Sequence, residues 1–428
     1  MGVKGDFTVV VSKKEVVAME LPMQEYWLPM SNLDLLLPPI DGRVFFCYKR
    51  PPEPEEAKLL TFGSMCSVLK KSLAKVLVSY YPLAGEIVQN TLELNCGGLV
   101  VGCTFDHRVA DAYSADMFLV SWSEMARSIP FSLHPSFRRS LLHPRRPGIY
   151  SSFPNRLYIT TSALPKPEPP LAADHHHLLT RFYYVSGDKL ASLQLLSSAS
   201  GAHKDKLKVF CAFLWKLIAA GGNGNKNSCK LGMAVDGRRR LSLSEGDADD
   251  KSKLFRSYFG NVVSVPYVEK TVRVLTSEPL SSTTDSVHEF LEGAVTKDHF
   301  LDLIDWVEAQ RPEPLVARIS AGVEEGPSGP AFVVSSGLRF AVSKLEFGWG
   351  KPVFGSYLSC FLGGEMGLGN DTGSVMPMLS PVGNGDWVVY MQLKKGLVEL
   401  IEKEVDDVFR PLTFDYLNRN RTNLRGRL

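Results

Sequence analysis

The stretch from Leu99 to Trp122 constrains this chain most. Leu99-Val100-Val101-Gly102-Cys103 is short, mostly apolar and partly β-branched, which predicts a buried strand. Ala115 to Trp122 reads as the start of a helix. Between them run Thr104-Phe105-Asp106-His107-Arg108-Val109-Ala110-Asp111, so His107 and Asp111 sit where a core strand ends and the chain turns. A scaffold holds a side chain firmly at such a place and still lets it face a cleft. An imidazole there can take a proton from a nucleophile near neutral pH. A carboxylate four residues on can fix the local backbone or the ring. H-x-x-x-D alone is weakly specific, because most histidines in so short a pattern are surface or satisfied core residues.

Composition narrows the class. A chain of 428 residues is long enough for two ordinary domains, and 44% hydrophobic with 22% charged residues is a soluble globular balance. The formal charge of +2 gives no reason to expect a nucleic-acid or acidic-membrane partner. No apolar run reaches bilayer length, and the first residues lack the apolar stretch of a secretory signal. Seven cysteines, an odd number with no C-x-x-C pair, fit reduced thiols in a cytosolic protein, and a monomer is expected. His175-His176-His177 has no cysteine partners and follows prolines, so it reads as strand entry, and no metal is expected.

Along the chain, strands are expected at Asp6 to Lys13, Arg43 to Lys49, around Ile87 to Leu94, and at Leu99 to Thr104. Pro54 to Tyr80 carries a helical apolar stripe through Leu59, Leu60, Met65, Leu69, Leu73, Val76 and Leu77. Prolines crowd the stretch after residue 130. This divides the chain into an N-terminal domain at 1–143, an extended crossover linker at 144–173 and a C-terminal domain at 174–428. In the C-terminal part, strands are expected at Thr180 to Val185, Lys230 to Asp236, Asn261 to Tyr267, Phe332 to Val334, near Phe340, and at Val388 to Leu393. Helices are expected after Gly187, at Leu207 to Ala220, as one run from Asp285 to Glu308, and last at Leu397 to Val408. This mixture predicts α/β layers.

A second stretch, Glu346-Phe347-Gly348-Trp349-Gly350, sets two glycines around a large apolar plate. By itself it is a structural turn under a core tryptophan. Taken with His107-Arg108-Val109-Ala110-Asp111, with Tyr81-Pro82-Leu83-Ala84-Gly85, with Val235-Asp236-Gly237-Arg238 and with Tyr258-Phe259-Gly260-Asn261-Val262, it resembles the BAHD family of plant acyl-CoA-dependent acyltransferases. Those motifs, in that order, span nearly the whole chain. Asp305 to Ala309 and Ser380 to Tyr390 look most like the branch of coniferyl alcohol acyltransferases and shikimate hydroxycinnamoyltransferases.

The resemblance implies two chloramphenicol-acetyltransferase-like domains, each a mixed sheet flanked by helices, with a channel between them. Acyl-CoA, acetyl or hydroxycinnamoyl, enters one mouth as co-substrate, and a small alcohol or amine enters the other. His107 takes the acceptor's proton as it attacks the thioester in a ternary complex. No other cofactor is implied. Asp111 points away from the reaction and pairs with an arginine, here Arg238, and Glu346 to Gly350 shape the CoA-side wall at a distance.

Four departures from the family pattern stand out. Glu346 replaces the usual Asp, Ala112 stands where Gly is common, and Glu86 stands where Arg is usual. The fourth is larger: the segment between 86 and 98 is much shorter than in the family, as from an internal deletion, and could expose a sheet edge. The glycine-rich run from Gly363 to Ser374 reads as a surface insertion. Three readings follow: an O-acyltransferase, an N-acyltransferase making amides, or a truncated, inactive homologue that only binds ligand.

Overall fold

The computed structural model describes residues 9–24, 27–50, 60–85, 87–164, 178–198, 204–221, 228–242, 248–321, 329–358 and 372–418. Two sheets organise it. The first has four antiparallel strands in the order Phe354–Leu358, β1 (Asp41–Tyr48), β3 (Leu99–Asp106) and β2 (Ile87–Glu93). Helices α1 (Phe62–Ser79) and α2 (Ala112–Ala126) cover one of its faces.

β3 alternates as a half-buried strand should, with Leu99, Val101, Cys103 and Phe105 turned inward. The apolar stripe of α1 delivers Met65, Leu69, Leu73, Val76 and Leu77 to the same core. Each such side chain contributes roughly 1.5–3 kcal/mol of burial. Trp122 of α2 fixes the helix pair, its Nε1 donating to Leu69 O at 3.2 Å and to Ser72 Oγ at 2.9 Å.

The second sheet has seven strands, ordered Arg410–Pro411, Leu178–Val185, Trp387–Lys394, Thr372–Leu379, Ala331–Val334, Ser228–Met233 and Tyr267–Thr271. Ala331–Val334 runs parallel to both its neighbours, and the other pairings are antiparallel. Its third strand, Trp387–Lys394, is buried from Trp387 to Leu393 without alternation, the pattern of a strand covered on both faces. The helices Lys206–Ala220 and Leu280–Ala294 pack on it.

The strand Phe354–Leu358 joins the two halves. It comes from the C-terminal part of the chain but pairs with β1, Tyr357 opposite Val44.

Several sequence expectations need correction. Val9 to Ser12 form no strand and stand exposed, because among the described residues no neighbour supplies a ladder for their alternation. Helix α1 begins at Phe62, capped by Thr61 Oγ1, which accepts from Ser64 N at 3.1 Å, so Leu60 precedes it, and the part expected at 54–59 lies outside the described residues. The expected extended linker instead contains a short helix, Phe153–Leu157, and a strand, Tyr158–Thr160, that pairs with Leu315–Ala317. The single helix expected over Asp285 to Glu308 is two, Leu280–Ala294 and Lys297–Gln310, split by Thr296, which caps the second.

The Phe340 region holds a 3-10 turn, Val342–Lys344, in place of a strand. A further helix, Phe414–Asn418, follows the last one expected. The strand Asn261 to Tyr267 is broken into Val263–Ser264 and Tyr267–Thr271. Glu86, the three histidines at 175–177, Cys360 and most of the Gly363 to Ser374 run lie outside the described residues.

Candidate active site

β3 ends at Asp106, and the turn after it is pinned at every step. His107 N donates to Ile40 O at 2.9 Å, and Val109 N to Asp106 O at 3.0 Å. Arg108 folds back on Asp106, its N and Nε donating to the carboxylate at 2.8 and 3.0 Å. His107 is half-buried at the head of this turn.

Asp111 closes the turn as the N-cap of α2, its Oδ1 accepting from Ser114 N at 2.9 Å. The same carboxylate takes a fork from Arg238, Nη1 to Oδ2 at 2.7 Å and Nη2 to Oδ1 at 3.0 Å. Val262 N adds a third partner at 3.0 Å. Burial opposes the charge on Asp111, but Arg238 and the backbone donors outweigh it and hold the carboxyl below its ordinary value. Arg238 also donates to Gly260 O at 2.8 Å, Ser114 Oγ at 3.0 Å and Asp236 Oδ1 at 3.1 Å, and the Tyr113 ring lies over it at 4.4 Å. Arg239, by contrast, is exposed.

The segment around Gly260 closes the seam between the two sheets. Ser114 Oγ donates to Gly260 O at 2.8 Å and accepts from Gly260 N at 3.0 Å. Gly260 has φ +145°, and a Cβ there would meet Arg139 Nη1 at 2.5 Å, so glycine is required. Next to it, Asn261 Nδ2 donates to the carbonyls of His107 and Arg108, both at 3.0 Å.

The second motif lies on the helical side of the first sheet. Glu346 Oε1 accepts from Gly348 N at 2.6 Å and Gly350 N at 3.2 Å, and the carboxylate pairs with Arg127 at 3.3 Å. Gly348 and Gly350 take φ +111° and +101°, which a side chain would strain. The turn drives Phe347 and Trp349 into the core, where Phe347 meets Trp122 at 5.0 Å and Trp349 meets Tyr48 at 6.0 Å. Tyr48 Oη donates to Leu345 O at 3.1 Å. Glu346 thus closes the turn through its own carboxylate.

Asp236, Gly260 and Asn261 were legible only as parts of motifs. Asp34, Ser114 and Asp116 gave no signal beyond ordinary polar residues beside apolar ones. Asp116 on α2 accepts from Tyr357 Oη at 3.2 Å, and burial pushes its carboxyl up to about 7. Thiol chemistry finds no support on β3, since burial holds the Cys103 thiol up at about 12. Among the described residues no cluster of His, Cys, Asp and Glu could hold a metal, and no helix is long and apolar enough to cross a membrane.

This architecture is the two-domain acyltransferase fold. The structure matches vinorine synthase with TM-score 0.65 at 17% identity, covering 93% of this chain and 98% of that one. It matches TRI101 of F. graminearum, complexed with coenzyme A and T-2 mycotoxin, with TM-score 0.67 at 14% identity, covering 89% and 98%. A family model of the transferase family matches residues 7–93 and 88–408, and the chain belongs to that family, the BAHD acyl-CoA-dependent acyltransferases.

Among curated relatives it is 24% identical to shikimate O-hydroxycinnamoyltransferase of Nicotiana tabacum, over 91% of this chain and 97% of that protein. It is also 24% identical to fatty alcohol:caffeoyl-CoA acyltransferase of Arabidopsis thaliana, over 92% and 99%. With hydroxycinnamoyl-CoA:5-hydroxyanthranilate N-hydroxycinnamoyltransferase HHT1 of Avena sativa it shares 26%, over 79% and 70%.

Proposed function

We propose that this acyltransferase moves an acetyl or hydroxycinnamoyl group from its CoA thioester to the hydroxyl of a small metabolite such as a phenylpropanoid alcohol, with His107 as general base in a ternary complex. The observation that carries the reading is the division of labour at the turn. Asp111 spends its carboxylate on Arg238, Val262 and Ser114, so it builds the loop rather than reacting. His107 stands half-buried at the head of that loop, held at its backbone from both halves of the chain.

In this mechanism the His107 imidazole accepts the hydroxyl proton as the acceptor oxygen attacks the thioester carbonyl. The carbonyl electron pair moves to oxygen, giving a tetrahedral oxyanion. Its return expels the CoA thiolate, which takes the proton from the imidazolium and leaves as thiol. The ester forms, the thioester breaks, and no acyl-enzyme is needed.

Two observations support further readings. A relative named for N-acylation keeps an amine acceptor open, the same proton then leaving nitrogen. The family match comes in two pieces that meet within β2, which supports a shortened segment between 86 and 98 and so the inactive homologue. Against the latter, β2 pairs with β3 at every residue, and the hairpin closes through Leu94 N to Gly98 O at 2.9 Å. We take 1–143 and 174–428 as the two domains, working as a cytoplasmic monomer. His107→Ala tests the reading: transfer is lost at unchanged circular dichroism, and activity within a few-fold of the parent overturns the assignment.

A further inference from the structure

The catalytic turn is gripped from the other half of the chain by a side chain with no part in the chemistry above. Asn261 is fully buried, and its Nδ2 lies 3.0 Å from each of three oxygens: His107 O, Arg108 O and Asp34 Oδ1. Its backbone N donates to the same Asp34 Oδ1 at 2.8 Å. Turned over, the amide would set its own oxygen against three others, so only one orientation is allowed. That orientation leaves Asn261 Oδ1 buried with no hydrogen-bond partner. A buried acceptor is rarely left unmet, and here the contacts of Nδ2 hold the group in place.

The holder is Asp34, itself fully buried. Its Oδ2 accepts from Ser31 N at 2.7 Å and Ser31 Oγ at 2.8 Å, and Arg139 balances its charge from 3.9 Å. Both carboxylate oxygens are therefore engaged, and the group cannot swing.

We propose that Asn261, oriented by Asp34, is a positioning residue for acyl transfer: by holding the carbonyls of His107 and Arg108 it fixes the peptide planes after each, and the first of these, together with the plane before His107 that Ile40 O holds through His107 N, aims the imidazole. The proposal rests on the reading of His107 as base. Two adjacent peptide planes determine the direction in which the His107 side chain leaves the backbone. A shift of about 1 Å in a reacting group costs on the order of 100-fold in rate. The Asp111–Arg238 pair fixes the far end of the turn, and the Asn261 amide fixes the end that bears the histidine.

The test compares Asn261→Ala, Asp34→Asn and Ser31→Ala with His107→Ala in the full chain. Initial rates are read as kcat and KM, and coenzyme A binding is read by calorimetry. Asn261→Ala is expected to lower kcat about 100-fold, with KM for acyl-CoA within three-fold and coenzyme A bound at unchanged stoichiometry. Asp34→Asn follows in the same direction. Ser31→Ala, which removes one donor to Asp34 and leaves the fold least disturbed, lowers kcat several-fold at unchanged KM.

A fall in binding stoichiometry that matches the fall in kcat means that Asn261 only keeps the chain folded, and overturns the proposal. So does a kcat within three-fold of the parent in Asn261→Ala, or an unchanged kcat in Ser31→Ala should the other variants not fold. If His107→Ala is inactive while Asn261→Ala is not, the clamp fails and the base stands. If His107→Ala keeps its activity, the base reading fails first.

Discussion

The guanidinium of Arg238 grips the carboxylate of Asp111 with two nitrogens, at 2.7 and 3.0 Å, and neither side chain is more than 4% exposed. The two residues come from different halves of the chain. The pair is thus both the far anchor of the turn that carries His107 and a rivet across the seam. Breaking it by Arg238→Met leaves the buried Asp111 carboxylate without its charge partner, and Asp111→Ala leaves the buried Arg238 guanidinium with only the part-exposed Asp236 carboxylate. Either change is expected to cost about 3–5 kcal/mol and to misplace the turn, read as a lower urea midpoint together with lost transfer.

The same pair fixes an acid limit. The Asp111 carboxyl is held below its ordinary value of 3.8. Its stabilising effect is therefore complete above that value and is lost as pH falls through the lower, folded-state value. Acid unfolding of the parent should show this loss, and Asp111→Asn should show a flatter acid limb. An identical acid limb in the two proteins would contradict the assignment.

Asp116 behaves in the opposite sense. Burial raises its carboxyl to about 7, while Tyr357, the Ala341 amide and the charge of Lys344 pull it down and Asp111 pushes it up. A raised carboxyl favours the folded state at low pH, and that contribution is lost as pH rises toward about 7. Asp116→Asn keeps an acceptor for Tyr357 and has no charge to bury. It should gain on the order of 4 kcal/mol over the parent at pH 8 and on the order of 1.5 kcal/mol at pH 5, because the unfolded-state carboxyl is already ionised there. Denaturant melts at the two pH values decide the point.

Glu346 closes its own turn through two backbone amides and Arg127. Glu346→Ala is expected to lower stability by about 1–2 kcal/mol and to change kcat by less than five-fold, because the turn packs on α1, α2 and β1. Trp349 buries its Nε1 with no hydrogen-bond partner. Trp349→Phe should therefore cost less than the loss of ring area alone would suggest. A Trp349→Phe variant with wild-type stability but no transfer would place the motif in the chemistry.

Much of this was legible in the sequence. The strand, turn and helix from Leu99 to Trp122 show in their own periodicity, and the Arg238 partner for Asp111 followed from the family likeness. The illegible parts are long-range. Phe354–Leu358 is not among the strands expected from the sequence, and it pairs with β1 of the other half of the chain. Asn261 and Asp34 are ordinary polar residues until the fold brings them together from 227 positions apart. Of the strand expected at Asp6 to Lys13, the described part, Val9 to Lys13, is not a strand, because alternation states which faces a strand would have, not whether a neighbour exists to pair with it.

β2 is the last strand of its sheet, and its solvent side shows Val88 at 58% and Leu92 at 37% exposure with no lysine to guard the edge. Concentration-dependent light scattering should fall on Val88→Lys at unchanged kcat. Scattering that stays the same would mean the edge is covered.

The most direct test of the central claim is thiol release from acyl-CoA by the purified chain. Acetyl-, coumaroyl-, caffeoyl- and feruloyl-CoA are each incubated with and without coniferyl alcohol, for the parent and for His107→Ala. The account predicts release that depends on both donor and acceptor in the parent and is absent in the variant. A folded parent that releases no thiol from any pair, or a variant that matches it, would contradict the account.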